Sequence, residues 1–540
     1  MATPLPVPTA PVLTPSPTPA AFFAVDRLFY APGFYVPEIQ AFLEAQQSPL
    51  ASMRFSVGDQ RHNLAEVIVG QGSYYGVSSQ FVLAMLEAQS GLVTDPSPSG
   101  SQMSVAAGFS GDNGRWLGLQ GQIRWMVKQS FYARRDFPAR VELTYADGSS
   151  AAAPASWGLS EYVIGRILAQ TTTPGALPSR MQRFQDAYTR LFGDPRLPPE
   201  GLSPLAEPFM QRPFRKVFPV TSFFDHDAPF LMRQPRGEVM TYWGRAEVDM
   251  AFAYDGHDGW DYAIGPPDRI LSTADGVVVF AGNADDGCAT RAVVVEHGNG
   301  YRSLYWHLAR VDVEIGQSVL AGDVLGIAGN SGCSLGPHLH LGVQYHGRDI
   351  DPYGWCGSGV DPWAAHPAGE VSVWLWKDRP SPCAPPPPGA VVVDASTSGF
   401  FQSGDGWQVA QTGYGGTTLF APSVRGSSDR EGWRLRSLDM PAVAVWRADL
   451  PQGTYRVLAY IPYALSGLED PRQTEYRIRH VGGEASVSIN ARTYANDWAD
   501  LGTYEFAGQS AVVLSNQCEE GRLSVWADAV MWIPVEAGGE

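Results

Sequence analysis

Four of the ten histidines in this 540-residue chain lie in three short motifs that could do chemistry. The motifs are Gly-His-Asp-Gly-Trp-Asp at 256–261, Tyr-Trp-His-Leu at 305–308 and Gly-Pro-His-Leu-His-Leu at 336–341. Imidazole and carboxylate groups bind zinc, and imidazole also moves protons near pH 7. Brought together, the motifs predict a metal site that activates water for hydrolysis without a covalent nucleophile.

The spacing of the third motif predicts the element that carries it. His338 and His340 are two residues apart, and alternate side chains of a β-strand share a face. We therefore expect both histidines to project from one face of a strand, while Leu339, Leu341 and Val343 face a core.

The second motif ends a run with the same alternation. One face of this predicted strand carries Leu304 and Trp306. The other face is predicted to be a polar, aromatic wall that includes a third histidine, with members Tyr301, Ser303, Tyr305 and His307. The first motif is a Gly-rich loop that enters an apolar strand, so His257 and Asp261 can converge on one metal.

A count of ligands gives the predicted composition of the site. A catalytic zinc site usually has three protein ligands of nitrogen or oxygen type and one position for water. His257, Asp261 and one member of the pair His338 and His340 supply that number. The remaining histidines would then be available for proton transfer or charge stabilisation.

The three motifs, in this order, resemble those of the LytM/lysostaphin-type zinc endopeptidases, which cut peptidoglycan. The resemblance covers residues 218–365 and rests on His-x-x-x-Asp, Tyr-x-His-Leu and Gly-Pro-His-Leu-His. It implies Zn²⁺ as the cofactor, and His257, Asp261 and His340 as its ligands. It also implies that His338 is the base that activates water and that His307 stabilises the oxyanion. Many relatives have Phe-Glu where this chain has Leu-Gly at 341–342, which leaves the ligand set unchanged.

The other six histidines are assigned no catalytic role. His297 precedes Gly-Asn-Gly at 298–300, which is typical of a hairpin turn, and it is interpreted as a residue flanking that turn. The rest are interpreted as ordinary polar residues, namely His62, His226, His346, His366 and His480.

Length and charge bound the function. A chain of 540 residues is too long for one core, so several domains are expected. The formal net charge of −17 speaks against nucleic acid as a partner, because phosphate binding needs a basic face. No apolar run approaches the roughly 20 residues of a transmembrane helix.

Five cysteines predict disulfides and an extracellular compartment. Cys288 and Cys333 lie in Gly-rich loops of residues 216–378, the predicted catalytic segment. We expect them to form a bridge that pins the loop leading to His338. Cys356 and Cys383 are a second candidate pair, and the partner of Cys518 is left open.

The N-terminal third is predicted to be mainly helical. Residues 1–20 are a Pro/Thr-rich run without the features of a secretion signal, so we expect a disordered spacer there, and export through a signal outside this sequence or by another route. Residues 21–195 should form a helical domain, and 196–215 a Pro-rich linker. Apolar residues at helical spacing predict helices over 79–90, 116–131 and 181–191.

The run 82–91 of this helical domain resembles the Glu-Ser helix of lysozyme-like transglycosylases. Gln89 stands where that pattern has its acid, and glutamine cannot donate a proton as a general acid. Glu87 is interpreted as a solvated helix residue. The domain is therefore expected to be a wall-binding or degenerate lysozyme-like domain, with muramidase activity as the alternative.

The remainder is predicted to be β-rich. Residues 216–378 should form an all-β, hairpin-rich metallopeptidase domain, followed by a Pro-rich linker at 379–389. Residues 390–540 resemble golvesin C-terminal β-sandwich domains, through an opening Val-Val-Asp, a Gly-Thr-Tyr strand and a closing Ala-Asp-Ala-Val. This implies binding to carbohydrate or to a cell surface, although most tryptophans there are expected to pack in the core.

Together these features predict a secreted, multidomain zinc metalloendopeptidase that acts on peptidoglycan stem peptides or cross-bridges. The flanking domains would hold it on the wall and raise the local substrate concentration. Two alternatives are a non-catalytic wall-binding scaffold that activates other hydrolases, and a bifunctional enzyme with added muramidase activity.

Overall fold

A computed structural model describes residues 22–231, 238–247, 255–425, 441–463, 468–518 and 521–535. Contacts divide the chain into two units, Met1–Ser203 with Ala284–Gly287, and Pro204–Asn283 with Cys288–Glu540. The spacer predicted at 1–20 lies outside the described residues. None of the described helices is long and apolar enough to cross a bilayer.

The first unit is built mainly from helices, as the apolar spacing predicts. They are Asp26–Phe29, Val36–Ala45, Leu64–Tyr75, Ser79–Ser90, Gly100–Ser104, Leu119–Asp136, Leu159–Ala169 and Leu177–Phe192. Two short hairpins accompany them, Arg54–Val57 with Gln60–Asn63 and Leu143–Thr144 with Ser150–Ala151. The helix predicted to begin at residue 116 begins three residues later, because Gly118 has a φ of 86° that a helix cannot contain.

The expectation that Glu87 is a solvated helix residue is wrong. Glu87 is buried in Ser79–Ser90, a helix that is buried on nearly all of its faces. One carboxylate oxygen accepts hydrogen bonds from Arg190 at 2.6 Å and from the Thr94 hydroxyl at 2.7 Å. The other accepts from the backbone N–H groups of Val93 at 3.0 Å and Thr94 at 3.1 Å. The carboxylate therefore holds the turn that follows its own helix.

The catalytic segment of the second unit is organised around one antiparallel sheet of eight strands. They are β1 (Val220–Ser222), β2 (Trp260–Tyr262), β3 (Gly276–Asn283), β4 (Arg291–Glu296), β5 (Tyr301–Trp306), β6 (Ser318–Val319), β7 (Leu339–Tyr345) and β8 (Arg348–Asp349). Their order is β6-β3-β4-β5-β7-β2-β1, with β8 paired to β7. The hairpin predicted at 298–300 is confirmed, since it joins β4 to β5.

Smaller elements complete this segment. A three-stranded sheet consists of Arg269–Leu271, Arg310–Val311 and Val324–Ile327. A hairpin pairs Val239–Thr241 with Arg245–Glu247, and one short helix spans Pro362–Ala365. Among the described residues, the segment is therefore β-rich, as predicted.

The C-terminal segment is a pair of antiparallel sheets. The larger contains Val391–Val393, Phe400–Ser403, Val443–Ile461, Thr474–His480, Gly483–Ile489, Asp497–Ser515 and Val530–Pro534. The smaller contains Gln408–Ala410, Thr418–Pro422 and Ser524–Ala527, and one further parallel pair joins Val424–Arg425 to Gln517–Cys518. Among the described residues of this segment, four tryptophans are buried, as core packing predicts: Trp446, Trp498, Trp526 and Trp532.

Each of the two segments predicted as linkers contains buried residues. Met210 and Phe214 are buried, and the chain there bonds to the small three-stranded sheet through Leu271. Arg379 is also buried, and both it and Arg212 form ion pairs with the Asp497 carboxylate. Proline content predicted the lack of regular structure but not this packing.

Both predicted disulfides are confirmed. Cys288 is joined to Cys333 with their Cα atoms 5.4 Å apart. Cys356 is joined to Cys383 with a Cα separation of 5.2 Å. The second bridge attaches the segment predicted as a linker at 379–389 to the catalytic segment.

Candidate active site

Strand register brings the three motifs to one place on the central sheet. His340 on β7 lies opposite Asp261 on β2, and opposite Trp306 on β5. Residues directly opposite each other in an antiparallel pair share a face. The other face carries the opposed pair Trp260 and Leu341, which is buried.

Three potential ligand atoms form a nearly equilateral triangle. Nε2 of His257 lies 3.1 Å from Nδ1 of His340 and 3.2 Å from Oδ1 of Asp261. Nδ1 of His340 lies 3.1 Å from the same carboxylate oxygen. Ligands about 2.0–2.1 Å from a tetrahedral zinc lie about 3.3 Å apart. The triangle therefore has the dimensions of one face of a zinc coordination shell.

Hydrogen bonding outside the triangle points the His257 lone pair inward. Nδ1 of His257 lies 2.8 Å from the Phe223 carbonyl oxygen, which can only accept, so Nδ1 carries the proton. In the neutral ring, which is the form that binds a metal, Nε2 then faces the other two atoms with a lone pair. Three lone pairs that converge in a buried place repel each other unless a cation lies between them, and this chemistry fits a divalent metal.

Electrostatics of the cluster agree with a site built for a cation. Burial opposes protonation of His257, but the Asp261 carboxylate outweighs it and raises the pKa of His257 to about 9. Burial also opposes ionisation of Asp261, yet the neighbouring His257 and His340 hold the pKa of that carboxyl well below its usual range. The carboxylate is thus ionised and prefers a positive neighbour.

A second carboxylate lies at the edge of the cluster. Oδ1 of Asp258 is 3.5 Å from Nε2 of His340. His257, Asp258 and His340 also offer ligand atoms within 4.8 Å of one another. The triangle with Asp261 is tighter and is fixed by strand register, whereas Asp258 lies in the loop before β2. We therefore favour Asp261 over Asp258 as the third ligand.

The two further histidines border the same cluster. Nδ1 of His338 lies 2.8 Å from the Gly336 carbonyl, and its Nε2 lies 3.7 Å from Oδ2 of Asp261. Nδ1 of His307 lies 2.8 Å from the Ser331 carbonyl. The two imidazole rings are 4.5 Å apart. Because each Nδ1 donates to a carbonyl, each neutral ring has its Nε2 lone pair available.

His307 reaches the cluster by a route that alternation did not predict. Tyr305, expected on the same face, lies opposite Leu341 and bonds through its hydroxyl to Thr273, on the other face of the sheet. His307 lies beyond the end of β5 and has a φ of 70°. This left-handed turn breaks the alternation and directs the ring toward His338. Burial and the neighbouring His338 lower the pKa of His307 to about 4.

One loop supports both of these histidines. The Ser331 and Gly336 carbonyls in this loop accept the Nδ1 protons, and the His338 N–H donates to the Gly329 carbonyl at 3.1 Å. Cys333 lies between these contacts and ties the loop to Cys288. The disulfide thus restrains the atoms that orient the two rings.

His226, interpreted from the sequence as an ordinary polar residue, is buried. Its Nδ1 lies 2.9 Å from Asp361 and its Nε2 lies 3.1 Å from Asp351. Burial opposes protonation, but the two carboxylates outweigh it and raise the pKa of His226 to about 9. Asp351 also accepts from the indole N–H of Trp260, next to Asp261. No local pattern marks His226, because both partners are more than 100 residues away.

His297 flanks the hairpin turn, as predicted, but its ring is also engaged. Nδ1 bonds to the Asp275 carbonyl at 2.8 Å, and Nε2 lies 2.8 Å from the Ser303 hydroxyl. Burial lowers the pKa of His297 to about 4. The neutral ring thus links two neighbouring segments of the fold.

Three family models match successive parts of the chain. Residues 255–352 match the family model of Peptidase family M23, residues 21–206 that of the LasA N-terminal domain, and residues 391–533 that of the Golvesin C-terminal domain. The predicted resemblances to LytM-type peptidases and golvesin C-terminal domains are confirmed. The lysozyme-like fold expected for 21–195 stays a prediction, since the match there is to the LasA domain.

Individual relatives align with the catalytic segment. An uncharacterized metalloprotease of Haemophilus influenzae is 35% identical over 96 residues, which is 18% of this chain and 20% of that protein. The peptidoglycan DD-endopeptidase ShyA of Vibrio cholerae is 38% identical over 95 residues, 18% of this chain and 22% of that protein. The glycyl-glycine endopeptidase ALE-1 of Staphylococcus capitis is 31% identical over 119 residues, 22% of this chain and 31% of that protein. The chain spans about a fifth of the length of the first two.

Proposed function

Because the chain carries a Peptidase family M23 domain between a LasA N-terminal domain and a Golvesin C-terminal domain, we propose that it is a secreted zinc metalloendopeptidase. Its substrates are the stem peptides or cross-bridges of peptidoglycan. The observation that carries the proposal is the triangle of His257, Asp261 and His340, with two further imidazoles beside it. Relatives named as peptidoglycan and glycyl-glycine endopeptidases support the substrate class.

The ligand set determines what the bound metal would contribute. His257, Asp261 and His340 would hold the ion, and zinc bound there would lower the pKa of a water molecule and polarise a carbonyl. Every ligand that the family pattern requires is present, which argues against a non-catalytic scaffold.

The two bordering histidines, His338 and His307, have different roles in the proposed reaction. His338 serves as the general base, because its Nε2 lone pair faces the cluster while Nδ1 is held by Gly336. His307 stabilises the oxyanion that forms at the scissile carbonyl. For this role Nε2 of His307 must carry a proton. Negative charge that develops on the oxyanion next to the ring favours this protonation.

The proposed substrate and the two disulfides both support an extracellular location of the protein. Peptidoglycan lies outside the cytoplasm, and two disulfides are typical of proteins in an oxidising compartment. The C-terminal sandwich is proposed to bind carbohydrate or the cell surface, through residues that we do not assign.

Glycan cleavage by the helical unit is not proposed as a second activity. A cavity of about 720 Å³ opens beside Glu87 and Gln89. However, Glu87 accepts four hydrogen bonds, and Gln89 occupies the place of an acid. Neither residue is placed to donate a proton to a glycosidic oxygen.

Digestion of purified sacculi tests the proposal. The wild-type protein should contain about one zinc per chain and release free amino groups, with no increase in reducing sugars. His340→Ala should contain no zinc and release nothing. Mass spectrometry of the muropeptides identifies the bond. A wild-type protein that binds no zinc, or that releases reducing sugars alone, would contradict the assignment.

A further inference from the structure

A buried charge cluster joins the C-terminal sandwich to the chain on both sides of the catalytic segment. Asp497 of the sandwich lies 2.6 Å from Arg212 and also pairs with Arg379. These arginines flank the catalytic segment on its two sides in the sequence. All three charges are largely buried, so Asp497 compensates both arginines, and Asp378 also pairs with Arg379. A domain held in this way is not a module on a free tether.

The same contact reaches the carbonyl that orients His257. The ring of Tyr463, in the sandwich, meets the buried Phe223 ring edge-on, with centroids 5.2 Å apart and planes at 88°. The Phe223 carbonyl accepts the Nδ1 proton of His257 at 2.8 Å. Phe223 also packs edge-on against Trp260, the neighbour of Asp261, at 4.9 Å. The Tyr463 ring therefore supports Phe223, which contacts His257 through its carbonyl and the neighbour of Asp261 through its ring.

A second connection runs through the hairpin at 239–247. The hydroxyl of Tyr242 donates to the Asn496 carbonyl of the sandwich at 2.7 Å, and the Tyr463 N–H donates to the Asn496 side chain at 2.8 Å. In the same hairpin, the Met240 N–H donates to the Asp225 carboxylate at 3.0 Å. Tyr463 and Tyr242 thus meet on one residue of the sandwich.

Asp225 links this hairpin to the loop that contains Gly256 and His257. Its carboxylate also accepts the Gly256 N–H at 2.8 Å, and its own N–H donates to the His257 carbonyl at 2.8 Å. Asp225 therefore bonds to the backbone of both Gly256 and His257, and the hairpin bonds to Asp225. The hairpin is in turn bonded to the sandwich.

We propose that the C-terminal sandwich is a fixed support of the metal centre, and that Tyr463 is a positioning residue that acts on His257 through Phe223. This inference rests on the proposed function, because it assumes that His257 binds zinc. Groups that orient metal-binding histidines typically change metal affinity 10- to 100-fold when altered. A binding module on a free linker would have no such effect.

Zinc affinity of the full-length protein tests the inference. The zinc-free protein is titrated with Zn²⁺ against a chelator of known affinity. Tyr463→Ala should raise the zinc Kd about tenfold, whereas Tyr463→Phe, which keeps the ring, should leave it unchanged. Phe401→Ala is the matched control, because this ring lies exposed elsewhere on the sandwich. A purely structural role of Tyr463 would lower the unfolding temperature and leave the zinc Kd unchanged.

A second variant keeps the inference testable if Tyr463→Ala does not fold. Asp497→Asn leaves Arg212 without its counterion and Arg379 with Asp378 alone, so the sandwich should detach and 379–389 should become sensitive to protease. The zinc Kd should then rise as well. A detached sandwich with wild-type zinc affinity, or Tyr463→Ala with wild-type zinc affinity, would overturn the inference. Absence of zinc binding by the wild type would instead refute the proposed function.

Discussion

Asp261 and His340 face each other across the antiparallel strands β2 and β7, with Oδ1 of the carboxylate 3.1 Å from Nδ1 of the imidazole. Their sequence separation is 79 residues. The pairing of two strands, rather than the flexibility of two loops, sets this distance. A metal held between them would be held by the sheet itself, and His257 would be the ligand supplied by a loop.

The two carboxylates near the cluster should differ in their effect on metal content. We expect Asp261→Asn to weaken zinc binding by about a hundredfold or more, because it removes a negative ligand in the coordination triangle. Asp258→Asn should keep most of the affinity, because its carboxylate lies outside that triangle. Metal analysis after dialysis against a chelator measures both. The reverse order would make Asp258 the third ligand.

His338 and His307 should be needed for the reaction but not for the metal. We expect His338→Ala to lower kcat by about 10²–10⁴, the usual contribution of a general base. His307→Ala should lower it by about 10²–10³, the cost of losing one oxyanion donor. Both variants should keep bound zinc. His480→Ala, in the C-terminal sandwich, is a control for loss of an imidazole and should retain full activity.

The disulfide Cys288–Cys333 should affect catalysis through the loop that it ties. Replacing both cysteines by serine frees the loop whose Ser331 and Gly336 carbonyls orient the two bordering histidines. We expect kcat to fall about tenfold, since loosened positioning of a reacting group costs up to about 10²-fold. Zinc content should be unchanged, because no metal ligand lies in that loop. Loss of zinc in the double variant would mean that the bridge supports the ligands directly.

Stability should depend on pH through His226. Its folded pKa of about 9 exceeds the ordinary value of 6.5, so the folded protein holds the proton more tightly than the unfolded chain does. This stabilisation is complete below pH 6.5 and is lost as the pH rises through about 9. By linkage it amounts to about 3 kcal/mol.

Denaturant unfolding at several pH values in this window measures the effect of His226. The wild type should lose stability relative to His226→Gln as the pH rises, because glutamine does not titrate. The comparison uses the slope, since the substitution itself also changes the pairing of Asp351 and Asp361. Parallel curves for the two proteins would mean that His226 is not protonated in the fold.

Local patterns predicted what depends on neighbours in sequence. The helix at 79–90 was predicted with its observed bounds, since spacing and a following glycine set both ends. The hairpin at 298–300 follows from its turn residues. Alternation placed His338 and His340 correctly around the strand β7, but it failed at His307, where a left-handed residue ends the strand.

Burial by distant partners could not be predicted in this way. Glu87 was expected in solvent because a helix period says which residues share a face, not whether another helix covers that face. Likewise, the prolines at 379–389 predicted an irregular segment, and only the folded chain shows Arg379 beside Asp497.

The sequence by itself determined the chemical inventory of this protein: three motifs in order, residue types that can bind a divalent metal, two cysteine pairs, and the families of the catalytic and C-terminal segments. Tertiary structure decided which groups meet. It placed Asp261 opposite His340 by strand register, buried His226 between two carboxylates, and brought Tyr463 against Phe223. The physical reason is that motif spacing reflects contacts within a strand or turn, whereas burial and pairing depend on segments that are far apart in the chain.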